Sequence, residues 1–169
     1  MTPVSVSFYV LSENKAQDIL GFVCSLTQTV IEKSDLALII LSDDSAQLSQ
    51  IDDALWDFEA TSFIPHQIID DRETSENSHA NTATTSKNLL PRVLLSQALP
   101  NGFLGAVINL TPKALILNSE TSLQNSASQN SNPSRILELV LPDDQSTVLG
   151  RQKYQSYQQQ GCKLQHFKV

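Results

Sequence analysis

Cysteine, glycine and positive charge are all scarce in this chain of 169 residues, and each scarcity excludes something. Two cysteines, Cys24 and Cys162, cannot build a disulfide framework. Cys162 and His166 stand four apart, but no other Cys/His pair completes a zinc site. None of the five glycines falls in the turn Ser12-Glu13-Asn14. That is the turn where a dinucleotide-binding fold needs bare backbone against phosphate. No Gly-Lys-Ser/Thr step makes a phosphate loop, and no Gly-x-Ser-x-Gly elbow marks a serine hydrolase. Eleven Lys and Arg against eighteen Asp and Glu give a net charge of −7, and the basic residues form no run. Weak or no direct binding to nucleic acid is therefore expected. The start, MTPVSVSFYVLSENK, has no basic segment leading into a long apolar one, so it does not read as a secretory signal. No stretch approaches the ~18 consecutive apolar residues of a membrane span. A reducing, cytoplasmic setting without a membrane role is the expectation.

What is present reads as one α/β domain over residues 1–169, since ~100–200 residues make one domain. Val4–Leu11 is β-branched and aromatic, a first strand. Helical spacing then runs through Ala16, Ile19, Leu20, Val23, Leu26, Val30 and Ile31, with Ser12 or Asn14 as cap. Leu36–Leu41 is a continuous apolar run, suited to a strand buried on both faces of a parallel sheet. Leu48, Ile51, Ala54, Leu55 and Phe58 mark a second helix. This β-α-β-α order predicts a Rossmann-like, mostly parallel sheet flanked by helices. Strands are also expected at Val93–Leu95, Ala106–Leu110 and Ile136–Val140, with a turn at Asn101-Gly102. A last helix over about Gln145–Gln160 stops at Gly161. Cys162–Val169 alternates as a short edge strand would. Two polar segments interrupt this order. Residues 71–88 hold no apolar side chain larger than alanine, and 12 of the 17 residues in 118–134 are Ser, Asn or Gln. Both read as flexible insertions.

The chemistry-bearing residues are few. Asp43 and Asp44 follow the second strand, where α/β sheets place ligands, and two carboxylates there suit a magnesium ion. They equally suit a helix cap and a first-turn acid. With His66 they carry the alternative reading of a small ligand-binding protein or enzyme. Trp56 and Phe58 end the second helix, and Ser62-Phe63-Ile64-Pro65-His66 follows. Large aromatics at such a place either anchor a protein interface or seal the core beneath the helix. Arg151, Lys153, Tyr154 and Tyr157 make a basic, aromatic spot on the last helix. It suits an acidic peptide, or is ordinary solvated charge.

Taken together, these residues resemble the chi subunit family of bacterial DNA polymerase III holoenzyme. The resemblance runs through Phe8-Tyr9-Val10-Leu11, Cys24-Ser25-Leu26, and Gln47, Asp52, Leu55-Trp56 and Ser62–His66. It ends on Arg151-Gln152-Lys153-Tyr154-Gln155-Ser156-Tyr157 and Gly161. It implies a non-catalytic protein with no cofactor and no metal. It implies a link between the psi subunit of the clamp loader and the acidic C-terminal tail of single-stranded-DNA-binding protein. Trp56, Phe63, Pro65 and His66 match the psi-facing surface, which a repair helicase is thought to use in related bacteria. Arg151 and Tyr154 match the tail-binding pair, with Val140 on the apolar side of that pocket. Gln155 stands where the family pattern has lysine, and Lys153 is the neighbouring cation expected to compensate, although on a different helical face. The two polar insertions have no counterpart in the family pattern.

Overall fold

The computed structural model describes residues 3–58, 64–69, 91–100, 103–117 and 132–169. The elements are β1 (Ser5–Val10), α1 (Glu13–Ala16), α2 (Ile19–Lys33), β2 (Leu38–Leu41), α3 (Ser45–Asp57), β3 (His66–Ile69), β4 (Val93–Ser96), β5 (Ala106–Asn109), β6 (Arg135–Val140), α4 (Asp144–Gln159) and β7 (Lys163–Lys168). The strands form one seven-stranded sheet in the order β3-β4-β2-β5-β6-β1-β7. Every pairing in it is parallel.

The apolar runs explain why the sheet closes on both sides. Leu38, Ile39 and Ile40 are wholly buried because β2 lies mid-sheet with packed residues on each face. Leu38, Ile40, Val93, Leu95, Ile108 and Leu137 point to the face covered by α2 and α3. Val6, Phe8, Ile136 and Val140 point the other way, where Tyr157 of α4 packs on them. Ile39, Leu41 and Val107 share that second side with Phe103 and Leu115. The alternation follows from the two-residue period of a strand.

Helix ends follow from their caps. The periodicity predicts one helix from Ala16 onward, but the chain makes a short turn and restarts. Asp18 breaks it, its carboxylate accepting from Gly21 N at 3.0 Å as the cap of α2. Arg92 closes the far end of α2, donating to the carbonyls of Ile31, Ser34 and Leu36. Asp143 caps α4 by accepting from Ser146 N at 2.9 Å, and hydrogen bonds with Ser146 hold its carboxyl below its ordinary value. Gly161, with φ +80°, takes the left-handed turn that lets β7 leave α4. The insertion at 71–88, the turn at Asn101-Gly102 and residues 118–131 lie outside the described residues. Residues 132–134, the end of the second polar segment, are among the described residues. Ser134 N donates to the carbonyls of Leu104 and Gly105, so the chain is tied to the sheet before β6 begins.

Glu138 is the exception on the α4 face. It stands mid-strand in β6 and is fully buried. Its carboxylate accepts from Lys153 Nζ at 2.7 Å, from Tyr157 Oη at 2.5 Å and from Asn109 Nδ2 at 2.7 Å. Lys153 Nζ also donates to the Thr111 carbonyl at 2.7 Å. Burial pushes the Glu138 carboxyl up, against the opposing pull of Lys153, Tyr157 and Asn109. Burial and then the Glu138 charge push the Tyr157 hydroxyl up as well, which keeps it a donor. An intact pair of this kind adds little net stability, but a lone buried charge is costly.

Lys153→Met should therefore cost about 3 kcal/mol in urea unfolding near neutral pH. Burial already raises the folded-state pKa of Glu138 above its unfolded value, and loss of the ammonium raises it further. Stability held below the unfolded value is then lost as pH rises through the folded one. The deficit against wild type should shrink toward about pH 5 and widen toward about pH 8. A deficit independent of pH would show that Glu138 is not the group left unpaired.

Candidate interaction sites

The geometry of α4 decides which of its side chains reach solvent. Lys153 and Tyr157 are four apart and both turn to the sheet, where Glu138 holds them. With ~100° per residue, Arg151, Tyr154 and Gln155 are then carried to the outer flank. There they line a cavity of about 470 Å³. Its floor is Phe8, Val10 and Val140, and Thr147 and Gly150 line it from α4. A Cβ on Gly150 would meet Val140 Cγ2 at 3.0 Å, so the absent side chain permits this close approach of helix to strand. His166 of β7 completes the lining. Its ring stacks on Tyr154 at 5.1 Å between centroids and 22° between planes, with Phe8 at 5.8 Å.

The structure thus brings Val140, Arg151, Tyr154 and Gln155 together in one cavity. Lys153 does not join them. Its ammonium is consumed inside by Glu138 and the Thr111 carbonyl, so it cannot stand in for a cation at Gln155. Sequence reasoning also missed Phe8, Val10, Thr147, Gly150 and His166. The alternation of β7 carried part of that signal, since it puts Leu164 and His166 on one side. Nothing in the sequence revealed that β7 pairs with β1. The lining residues include no carboxylate, one permanent cation in Arg151, and an apolar floor. This suits a ligand with negative charge and an apolar side chain.

The second set of expected residues gathers at the opposite edge of the sheet. Trp56 is 57% exposed at the end of α3 and Pro65 is exposed beside it. His66 is buried beneath Trp56, with 4.8 Å between ring centroids. Its Nδ1 pairs with the Ile64 carbonyl at 2.6 Å, and its Nε2 lies 3.0 Å from Asp52 Oδ1. That Nε2 contact is short but not aligned as a hydrogen bond. His66 therefore supports the indole from below. Phe63 lies outside the described residues.

Asp43, Asp44 and His66 are not brought together. His66 is level with Leu38 at the start of β2, whereas Asp43 and Asp44 follow its end. Asp44 caps α3, accepting from Ala46 N at 2.9 Å. A second cavity of about 210 Å³ lies at the carboxyl ends of β5 and β6, lined in part by Gln47, Asn109, Thr111 and Lys153, and it includes none of the three. Burial pushes the Cys24 thiol up to about 11, far from a ready nucleophile. Among the described residues no cluster of three His, Cys, Asp or Glu is placed to hold a metal ion. No helix among them is long and apolar enough to cross a membrane.

Comparison with known proteins places the chain in a family. The family described as DNA polymerase III chi subunit, HolC, matches residues 1–165. A search of curated proteins finds no match.

Trp56 is the one tryptophan of the chain and reports on His66 beneath it. His66→Ala removes the ring that packs under the indole, so the emission maximum of Trp56 should move to longer wavelength. An unchanged spectrum would show that the indole does not rest on His66.

Proposed function

The chain belongs to the DNA polymerase III chi subunit family, and we propose that it acts as a non-catalytic adaptor of the replisome. Family membership makes it an accessory subunit of DNA polymerase III. The finer reading is that it joins the psi subunit of the clamp loader to the acidic C-terminal tail of single-stranded-DNA-binding protein.

One observation carries the tail assignment. The cavity beside α4 combines Arg151, an apolar floor and no carboxylate in a protein of net charge −7. An acidic peptide needs a place where this chain does not repel it. Arg151 offers a planar fork of donors matched to a carboxylate. Phe8, Val10 and Val140 offer the dent for an apolar terminal side chain. Contacts of this size are transient and weaken with salt.

The psi assignment rests on the exposure of Trp56 at the β3 edge, with Pro65 beside it. A rigid exposed indole over a buried histidine is the kind of anchor that interfaces use. A repair helicase that used the same face would compete with psi. His66 is six strand spacings from His166 across the sheet, roughly 29 Å at ~4.8 Å per step. One chain can therefore hold both partners at once.

Titration with a labelled peptide of the tail tests the reading. Arg151→Ala should weaken tail binding at least about tenfold and leave psi association unchanged. Trp56→Ala should do the reverse. Tail binding that survives Arg151→Ala, or that fails with Trp56→Ala, would overturn the two-site assignment.

A further inference from the structure

His166 is not assigned by anything above except its place in the cavity wall. It sits in β7, exposed, with its ring stacked on Tyr154 and tilted against Phe8. Two ring contacts fix where the imidazole lies. No hydrogen bond among the described residues takes up either of its nitrogens. An imidazole placed by packing, with free nitrogens at a cavity, is available to a ligand.

Its charged surroundings sharpen this. From α4 it faces Tyr154 and the Arg151 side of the cavity. From β1 it faces Phe8 and Val10, which carry no charge. Along its own strand, Lys168 lies two residues on and on the same side. Glu138 stands in register with Phe8 and so in the same row as His166. That carboxylate is already taken by Lys153, Tyr157 and Asn109. Among the described residues that line the cavity with His166 there is no carboxylate, and Arg151 is the cation. An incoming acidic group reverses that balance.

We propose that His166 is the second cationic contact of the α4 cavity, and that it makes the binding of an acidic peptide proton-linked. This deepens the tail reading and rests on it. Protonated His166 donates an N–H to a peptide carboxylate on the flank opposite Arg151, a role that the amide of Gln155 cannot fill with charge. Binding takes up a proton, so affinity rises as pH falls through the range where histidine changes charge.

The test uses the full chain and a synthetic fluorescent peptide bearing a run of aspartates and a C-terminal phenylalanine. Anisotropy titrations at constant salt run from about pH 8 down to about pH 5.8, where aspartates stay ionised. Wild type should bind about fivefold more tightly at the acid end, the gain of exchanging a neutral hydrogen bond for a charge-assisted one. His166→Gln should keep the alkaline affinity and lose the pH dependence. His166→Lys should hold the higher affinity throughout. A flat wild-type profile, or a slope that persists in His166→Gln, overturns the role of His166 while leaving the cavity as the peptide site. Absence of peptide binding at every pH overturns the cavity assignment itself.

Discussion

A carboxylate buried in the middle of a strand must be answered from within the protein, and here α4 answers it. Glu138 takes Lys153 and Tyr157 from that helix and Asn109 from β5. These bonds set the rotation of α4 about its own axis. A helix turned by one residue would offer Tyr154 and Gln158 to Glu138 instead, and neither is a cation. Because the inward face is fixed, the outward face is fixed as well. Arg151, Tyr154 and Gln155 stand beside Phe8 and Val140 as a consequence of where Lys153 must be. The pair is thus less a source of stability than of register.

The parallel sheet does the remaining positioning. All seven strands run the same way, so residues at strand ends gather at one edge of the sheet or the other. Val10 and Val140 close β1 and β6 on the carboxyl side, near the start of α4. His66 opens β3 at the amino side, where α3 delivers Trp56. The two sites therefore differ in strand, in sheet edge and in covering helix. Two ligands bound at these places would not have to displace one another.

Most of the fold was legible in the sequence because its elements announce themselves by period. The run Leu36–Leu41 gave a two-sided strand, and β2 occupies its last four residues. The spacing in 145–160 gave α4, and Gly161 gave its stop. The break before α2 was hidden because Asp18 sits at an otherwise acceptable helical position and reveals itself only by capping. In the candidate site, Val140, Arg151 and Tyr154 followed from the resemblance, while His166 depended on a strand pairing that no local pattern encodes. Lys153 was misplaced for an avoidable reason. Glu138 interrupts the apolar run Ile136–Val140, and a buried acid at that point requires a cation from a neighbouring element. Lys153, on the next helix, is one that the chain could supply.

The central claim is that the flank of α4 opposite its Glu138 contacts receives the acidic tail. Chemical-shift mapping of the isotopically labelled protein during titration with the tail peptide tests it most directly. The account predicts perturbations concentrated at Phe8, Val140, Arg151, Tyr154 and His166, with Trp56 and His66 silent. Perturbations concentrated between Asp52 and Ile69, with α4 unmoved, would contradict it.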